Sequence, residues 1–274
     1  MVLLIAANAQ AQNLFVSSWG SQGIDEFTPS GVRSGFASGL YWPTGIAFNN
    51  TGALFAGDGT GNIYEFTPSG MQSTFASGLQ QPYGLAFNSA GNLFVGDSSG
   101  NIYEYTPGGV QTTFVLGLNA SGALAFNSEG DLFVLGSGDN IYEIAPDGTQ
   151  TVFASGAGLS YGLAFNGAGD LFEANDSTIY EYTPGGVRST FVSGLNFSAA
   201  GLAFNSAGDL FVSGSGGDSI YEIAPDRTQT IFASGVYNSF ALAFQPVPEP
   251  SALGWLTIDT TIFFSLVRRK RITA

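Results

Sequence analysis

The sequence contains no cysteine and no histidine. The first absence removes disulfides and thiolate chemistry and leaves cysteine silent about compartment. The second removes imidazole-built zinc sites, Ser-His-Asp triads and histidine general bases. Charge is scarce as well, at 10% of 274 residues, with seven bases against 21 acids. Four of the bases, Arg268, Arg269, Lys270 and Arg271, stand side by side near the C-terminus. Outside residues 247–274, 19 acids face three bases, a charge near −16. Such a surface repels phosphate backbones, so nucleic acid is excluded as a partner. No stretch carries apolar residues at helical spacing for long enough to make an amphipathic helix.

Glycine (39) and Phe (24) are abundant, and hydrophobic residues make up 44% of the chain. That mixture predicts a sizeable core, many turns and many strands. The chain repeats one sentence six times. Aligned on a Leu-Phe pair, the copies begin at Leu14, Leu54, Leu93, Leu132, Leu171 and Leu210, spaced by 40 residues once and 39 thereafter. A copy such as "LFVGDSSGNIYEYTPGGVQTTFVLGLNASGALAFNSEGD" divides into four short strands: "LFV", "IYEY", "VQTTF" and "LAF". This period points to propeller blades. The fold expected is all-β, a six-bladed β-propeller with four-stranded blades. The phase also predicts how the ring closes. Leu14 to Ala37 supplies three outer strands, and Ser239 to Phe244 returns to supply the inner strand of that first blade. An open stack of hairpins would instead leave two long apolar edges. The four Phe of a copy, for example Phe55, Phe66, Phe75 and Phe87, are read as packing between blades.

Two repeated polar positions are read as scaffold. Each second strand holds a Glu (Glu26, Glu65, Glu104, Glu143, Glu181, Glu222), followed seven residues later by Arg or Gln. A two-residue hairpin loop would make the two cross-strand neighbours. A three-residue loop with a Gly bulge would shift them apart by one. Asp58, Asp97, Asp139, Asp176 and Asp218 fall between the first two strands, where Asp hydrogen-bonds its own turn. Calcium is the sharper alternative for such acids, but the chain has no EF-type loop.

The exceptions among the copies mark candidate sites. The loops leading to the inner strand, with the first "SSWGSQG" loop, carry Trp19, Tyr41, Trp42, Tyr83, Tyr161, Phe197, Tyr237 and Phe240. In a propeller these lie on one rim around the central opening and could form a platform for sugar rings or a peptide, or else plug the channel. Glu173 replaces the Val or Ala of the other copies, and with Asn175 and Asp176 it is a candidate oxygen-ligand set for Ca²⁺.

The "GNLFVGD…GNIYEYTPGG" cadence and "P-x-GLAFN" resemble the NHL and SMP-30/gluconolactonase-like six-bladed propellers over residues 14 to 246. Gluconolactonase-type members imply a divalent metal held by Glu, Asn and Asp on the axis and a lactone as substrate. No acid of the inner strands here supplies that set. Streptogramin lyases are similar too, but their chemistry implies a histidine. The C-terminus resembles a PEP-CTERM sorting signal: Pro248, Glu249 and Pro250, a mostly apolar segment from Ser251 to Val267, then Arg268, Arg269, Lys270 and Arg271. Seventeen residues are near the short limit of about 17–25 for a span, and the bases hold the cytoplasmic side. Asp259 departs from the pattern, at a cost of roughly 2.5–3.5 kcal/mol at mid-bilayer. The resemblance implies an exosortase-type partner that cuts near Pro-Glu-Pro.

The chain is therefore expected to divide into a signal-peptide remnant (1–12), a propeller (13–246) and a sorting segment with a C-terminal hydrophobic helix (247–274). "VLLIAANAQAQ" has an apolar patch and Ala-x-Ala but no base, so the true start is expected upstream. The expectation is an exported monomer at the surface or in the matrix of a Gram-negative-type bacterium, transiently anchored in the membrane by its tail alone. Three functions remain open: a non-catalytic module binding extracellular polysaccharide or protein, a metal-dependent lactonase-like hydrolase, and a structural spacer.

Overall fold

The computed structural model describes residues 12–118, 122–136, 138–158 and 160–247. Its strands form six antiparallel four-stranded sheets. Blade 1 contains β1 (Leu14–Ser18), β2 (Gly23–Phe27) and β3 (Arg33–Ser38). Blade 2 is β4 (Ile46–Phe48), β5 (Leu54–Gly57), β6 (Ile63–Phe66) and β7 (Gln72–Ala76). Blade 3 is β8 (Pro82–Phe87), β9 (Leu93–Asp97), β10 (Ile102–Tyr105) and β11 (Gln111–Val115). Blade 4 is β12 (Leu124–Phe126), β13 (Leu132–Gly136), β14 (Asn140–Ile144) and β15 (Gln150–Ser155). Blade 5 is β16 (Ser160–Phe165), β17 (Leu171–Asn175), β18 (Thr178–Tyr182) and β19 (Arg188–Ser193). Blade 6 is β20 (Ser198–Phe204), β21 (Leu210–Ser215), β22 (Ser219–Ile223) and β23 (Gln229–Ser234). The last strand, β24 (Ser239–Phe244), joins β1 and completes blade 1 in the order β24-β1-β2-β3. Leu14 lies opposite Phe244, and Phe15 opposite Ala243.

The strand sequences follow from their depth in the blade. The strand next to the innermost one is covered by neighbouring blades on both faces, so "LFV" is buried at every residue. The outermost strand buries only its far end: "QTTFV" is exposed over Gln-Thr-Thr and covered from Phe114 onward. One Phe trio is repeated at each blade interface. Phe55 meets Phe75 of its own blade and Phe87 of the next, edge-on, both at 5.0 Å. The same geometry recurs where blade 6 meets the closing strand, with Phe211 4.9 Å from Phe244. Such pairs contribute about 0.5–1.5 kcal/mol each beyond the area they bury.

The outer hairpins use the three-residue loop. Thr28 donates its N–H to Val32 O, Gly31 donates to Thr28 O, and Gly31 takes φ 78. The register therefore sets Glu26 opposite Ser34, and Arg33 opposite Phe27. Arg33 pairs instead with the buried Asp25, at 2.7 Å. Among the described residues no helix is long and apolar enough to cross a membrane. Residues 1–11 of the expected leader, the sorting motif Pro248–Pro250, the expected C-terminal helix and the basic run lie outside the described residues.

Candidate functional site

The inner strands line a narrow axial channel of about 90 Å³. Two successive positions per blade form the wall. One is a ring of glycine or alanine, for example Gly45, Gly84 and Ala123; the other is Ile46 followed by leucines such as Leu85 and Leu124. At Gly45 a Cβ would come within 2.3 Å of the Tyr83 carbonyl oxygen, so the close approach of neighbouring blades demands glycine there. The position just before this ring reads Thr44, Tyr83, Gly122, Tyr161, Ala200 and Phe240 around the circle. Small and large side chains alternate. The three large ones converge over the channel: Phe240 lies 6.0 Å from Tyr83 and 6.3 Å from Tyr161. Six bulky residues would not fit around so small an opening, and three fill it.

Phe240 also ends an aromatic column. Tyr41 stacks on Trp42 (5.0 Å, 15°), Trp42 on Trp19 (6.0 Å, 26°) and Trp19 on Phe240 (5.6 Å, 14°). The column is held from beneath by polar contacts between blades. Trp19 donates its indole N–H to Pro43 O (2.9 Å), and Gly59 donates to Tyr41 O (2.7 Å). Ser17 Oγ accepts from Ala241 N and donates to Thr44 O (2.6 Å), while Thr44 donates its hydroxyl to Pro82 O. Trp42 has φ 48, an uncommon conformation for a bulky residue, and its neighbours in the stack fix it there.

Six of the eight rim aromatics are thus brought together. Tyr237 is exposed and outside the column, although its carbonyl accepts from Ser18 Oγ. Phe197 departs from the exposed-rim expectation: it is 5% exposed and stacks on Tyr221 at 5.3 Å, because its loop folds down over blade 6. Behind Phe240 opens a second cavity of about 480 Å³. Trp19, Tyr83, Tyr161 and Phe240 wall it, together with Ser198, Ser215, Asn238 and Ser239. Sequence reading missed these small polar residues. Their only signal was that the copies disagree there, which the larger aromatics overshadowed.

The candidate cation ligands do not form an open cage. Glu173 is fully buried on β17, on the face turned toward blade 4. It accepts the Tyr182 hydroxyl at 2.5 Å and Asn175 Nδ2 at 3.4 Å. Asn175 Nδ2 also donates to Ala157 O, so its amide serves as a donor. Asp176 is exposed in the turn, with φ 48. Burial first, then Glu173, pushes the Tyr182 phenol well above its ordinary range, against a lowering influence from Arg188. Among the described residues no three acidic groups come together as metal ligands. Among the described residues the channel wall offers only aliphatic and aromatic side chains, so a gluconolactonase-type metal on the axis does not fit the donors present.

The repeated acids divide into types. Asp58 Oδ1 accepts from Thr60 N and Asn62 N, and Asp97 Oδ1 from Ser99 N and Asn101 N. Asp139, Asp176 and Asp218 accept through their main-chain carbonyls from Ala157, Ala199 and Val236, and Asp218 Oδ1 also accepts from Ser219 Oγ. Among the glutamates, Glu26 accepts from Asn13 (2.6 Å) and Glu104 from Asn92 (2.7 Å). The equivalents of those asparagines in blades 4 to 6 are Asp131, Asp170 and Asp209. Burial, then Asp131 and Glu129, raises the Glu143 carboxyl; burial, then Asp209, raises Glu222.

The sequence matches no family model and no curated protein. Solved structures do match its fold. A catalytically inactive virginiamycin B lyase from Staphylococcus aureus with quinupristin is 14% identical, with a TM-score of 0.64, over 87% of this chain and 94% of that one. A gluconolactonase from Xanthomonas campestris is 16% identical, with a TM-score of 0.65, over 75% and 84%. A protein of unknown function from Bacteroides caccae is 16% identical, with a TM-score of 0.64, over 87% and 100%. At these identities the likeness is one of fold.

Proposed function

We propose that this chain is an exported, surface-sorted propeller that binds extracellular polysaccharide at the mouth of its axis, without catalysis. The observation that carries this reading is the aromatic mouth itself: Trp19, Phe240, Tyr83 and Tyr161 converge beside a cavity whose other lining is Ala200, three serines and an asparagine. Aromatic faces with a few placed polar groups suit sugar rings. Among the solved structures of like fold is a gluconolactonase, which supports hydrolysis only at the level of fold; a channel lining without a carboxylate among the described residues favours binding. The Pro248-Glu249-Pro250 motif, the apolar segment and the basic run support sorting to the surface by an exosortase-type enzyme.

The test is a glycan array probed with the full chain, followed by titration of Trp19→Ala and Tyr83→Ala. Binding to extracellular polysaccharides that falls at least about tenfold in either variant is expected, the loss of a central aromatic contact being about 2 kcal/mol or more. Hydrolysis of a sugar lactone with calcium retained at one ion per chain would replace this reading with the hydrolase. Sorting is checked by the mass of the mature protein, which should end near Glu249.

A further inference from the structure

We infer that the mouth takes one terminal ring of a neutral glycan, held end-on in the cavity behind Phe240. This rests on the binding reading above and narrows it. A polysaccharide laid along a rim needs bare aromatic faces set side by side. The column here turns its faces inward: Trp42 is covered by Tyr41 on one side and Trp19 on the other, and Trp19 by Trp42 and Phe240. Near-parallel rings at such separations use their faces on each other. The stack therefore builds a wall, and the space for a ligand lies at its inner end.

That space is the cavity of about 480 Å³, within the range of about 300–1,000 Å³ usual for small ligands. Phe240, Tyr161 and Tyr83 give it apolar walls for the C–H face of a sugar. Among the described residues no charged side chain lines it, so a uronate or a phosphate finds no counter-ion there. Its polar groups are Ser198, Ser215, Asn238 and Ser239. Ser215, at the end of β21, is exposed, so its hydroxyl is open to a hydroxyl of the sugar.

The full chain is titrated calorimetrically with gluco-, manno-, galacto- and xylo-oligomers of increasing length, beside oligogalacturonate and a random peptide library. The affinity for a neutral series should improve by no more than about threefold beyond the second sugar unit. Ser215→Ala should weaken binding about three- to tenfold, the worth of one hydrogen bond, without lowering the melting temperature. Tyr41→Ala, at the outer end of the wall, should leave affinity within about twofold. Affinity that climbs with each added unit, or collapses in Tyr41→Ala, overturns the end-on mode and leaves glycan binding standing. Preference for oligogalacturonate overturns the neutral assignment. Binding of peptides with no glycan bound, or of nothing, overturns the glycan reading itself.

Discussion

Tyr105 and Tyr182 occupy the same place in blades 3 and 5, but their hydroxyls differ in circumstance. Tyr182 donates to Glu173, whereas the buried Tyr105 hydroxyl has no partner among the described residues, and burial pushes its phenol up to about 12. Blades 1 and 2 carry Phe27 and Phe66 at this position. Tyr105→Phe should therefore stabilise the protein by about 1 kcal/mol in urea unfolding, while Tyr182→Phe, which strips a donor from a buried carboxylate, should cost about 1–3 kcal/mol. Two acids that break the repeat within strands, Asp25 and Glu173, stand in the two copies where Arg33 and Arg188 replace Gln. That correlation was legible in the sequence, but its partners were not, because it is the hairpin register that turns Arg33 to Asp25 and away from Glu26. A second residue-scale test concerns Glu222. Its carboxyl is raised by burial and by Asp209, so the native state favours its protonated form. The associated stability is fully present below the ordinary glutamate value of about 4.3 and is lost as pH rises through the folded value. Asp209→Asn, copying Asn92, should raise stability at pH 7 by a few tenths of a kcal/mol and bring little at pH 3, followed by thermal melts across that range.

Among the elements, the hairpin between the second and third strands shows what a repeat can and cannot announce. Pro signalled a turn in every copy, followed by Gly in all but the sixth. Both a two-residue and a three-residue loop fitted the letters, and the choice depended on which carbonyl closed the turn. Blade 6 breaks the rule with Arg227 at φ 71, where the other blades place glycine. Arg227 reaches Glu181 at 3.7 Å and lies 5.3 Å from the Phe191 ring centre, tying the blade 6 turn to blade 5. Arg227→Ala loses those contacts and keeps the left-handed backbone. Arg227→Gly loses the same contacts but relieves the backbone, so it should be more stable than Arg227→Ala by about 1 kcal/mol. Equal midpoints for the two variants in chemical denaturation would show that the turn carries no strain.

For the whole molecule, the seam between β1 and β24 repeats the interface found everywhere else. Phe244→Ala should then cost about 3 kcal/mol, within about 1 kcal/mol of Phe126→Ala at the equivalent inner strand, when both are compared by equilibrium unfolding. A much larger loss at Phe244 would mean that the seam is the weak joint. Blade number, strand order and closure were all legible, because a 39-residue period with a shifted start has few ways to bury its apolar faces. The mouth was legible only as a set of loops. Whether aromatic rings offer their faces to solvent or spend them on one another depends on loop twist, which no single copy encodes. The alternation of Thr44, Tyr83, Gly122, Tyr161, Ala200 and Phe240 has a consequence of parity. A circle that alternates two sizes closes without conflict only on an even count. Gaining or losing a single repeat unit would bring two bulky residues, or two small ones, into neighbouring sectors and leave the opening jammed or gaping. This architecture can change its size cleanly only two units at a time.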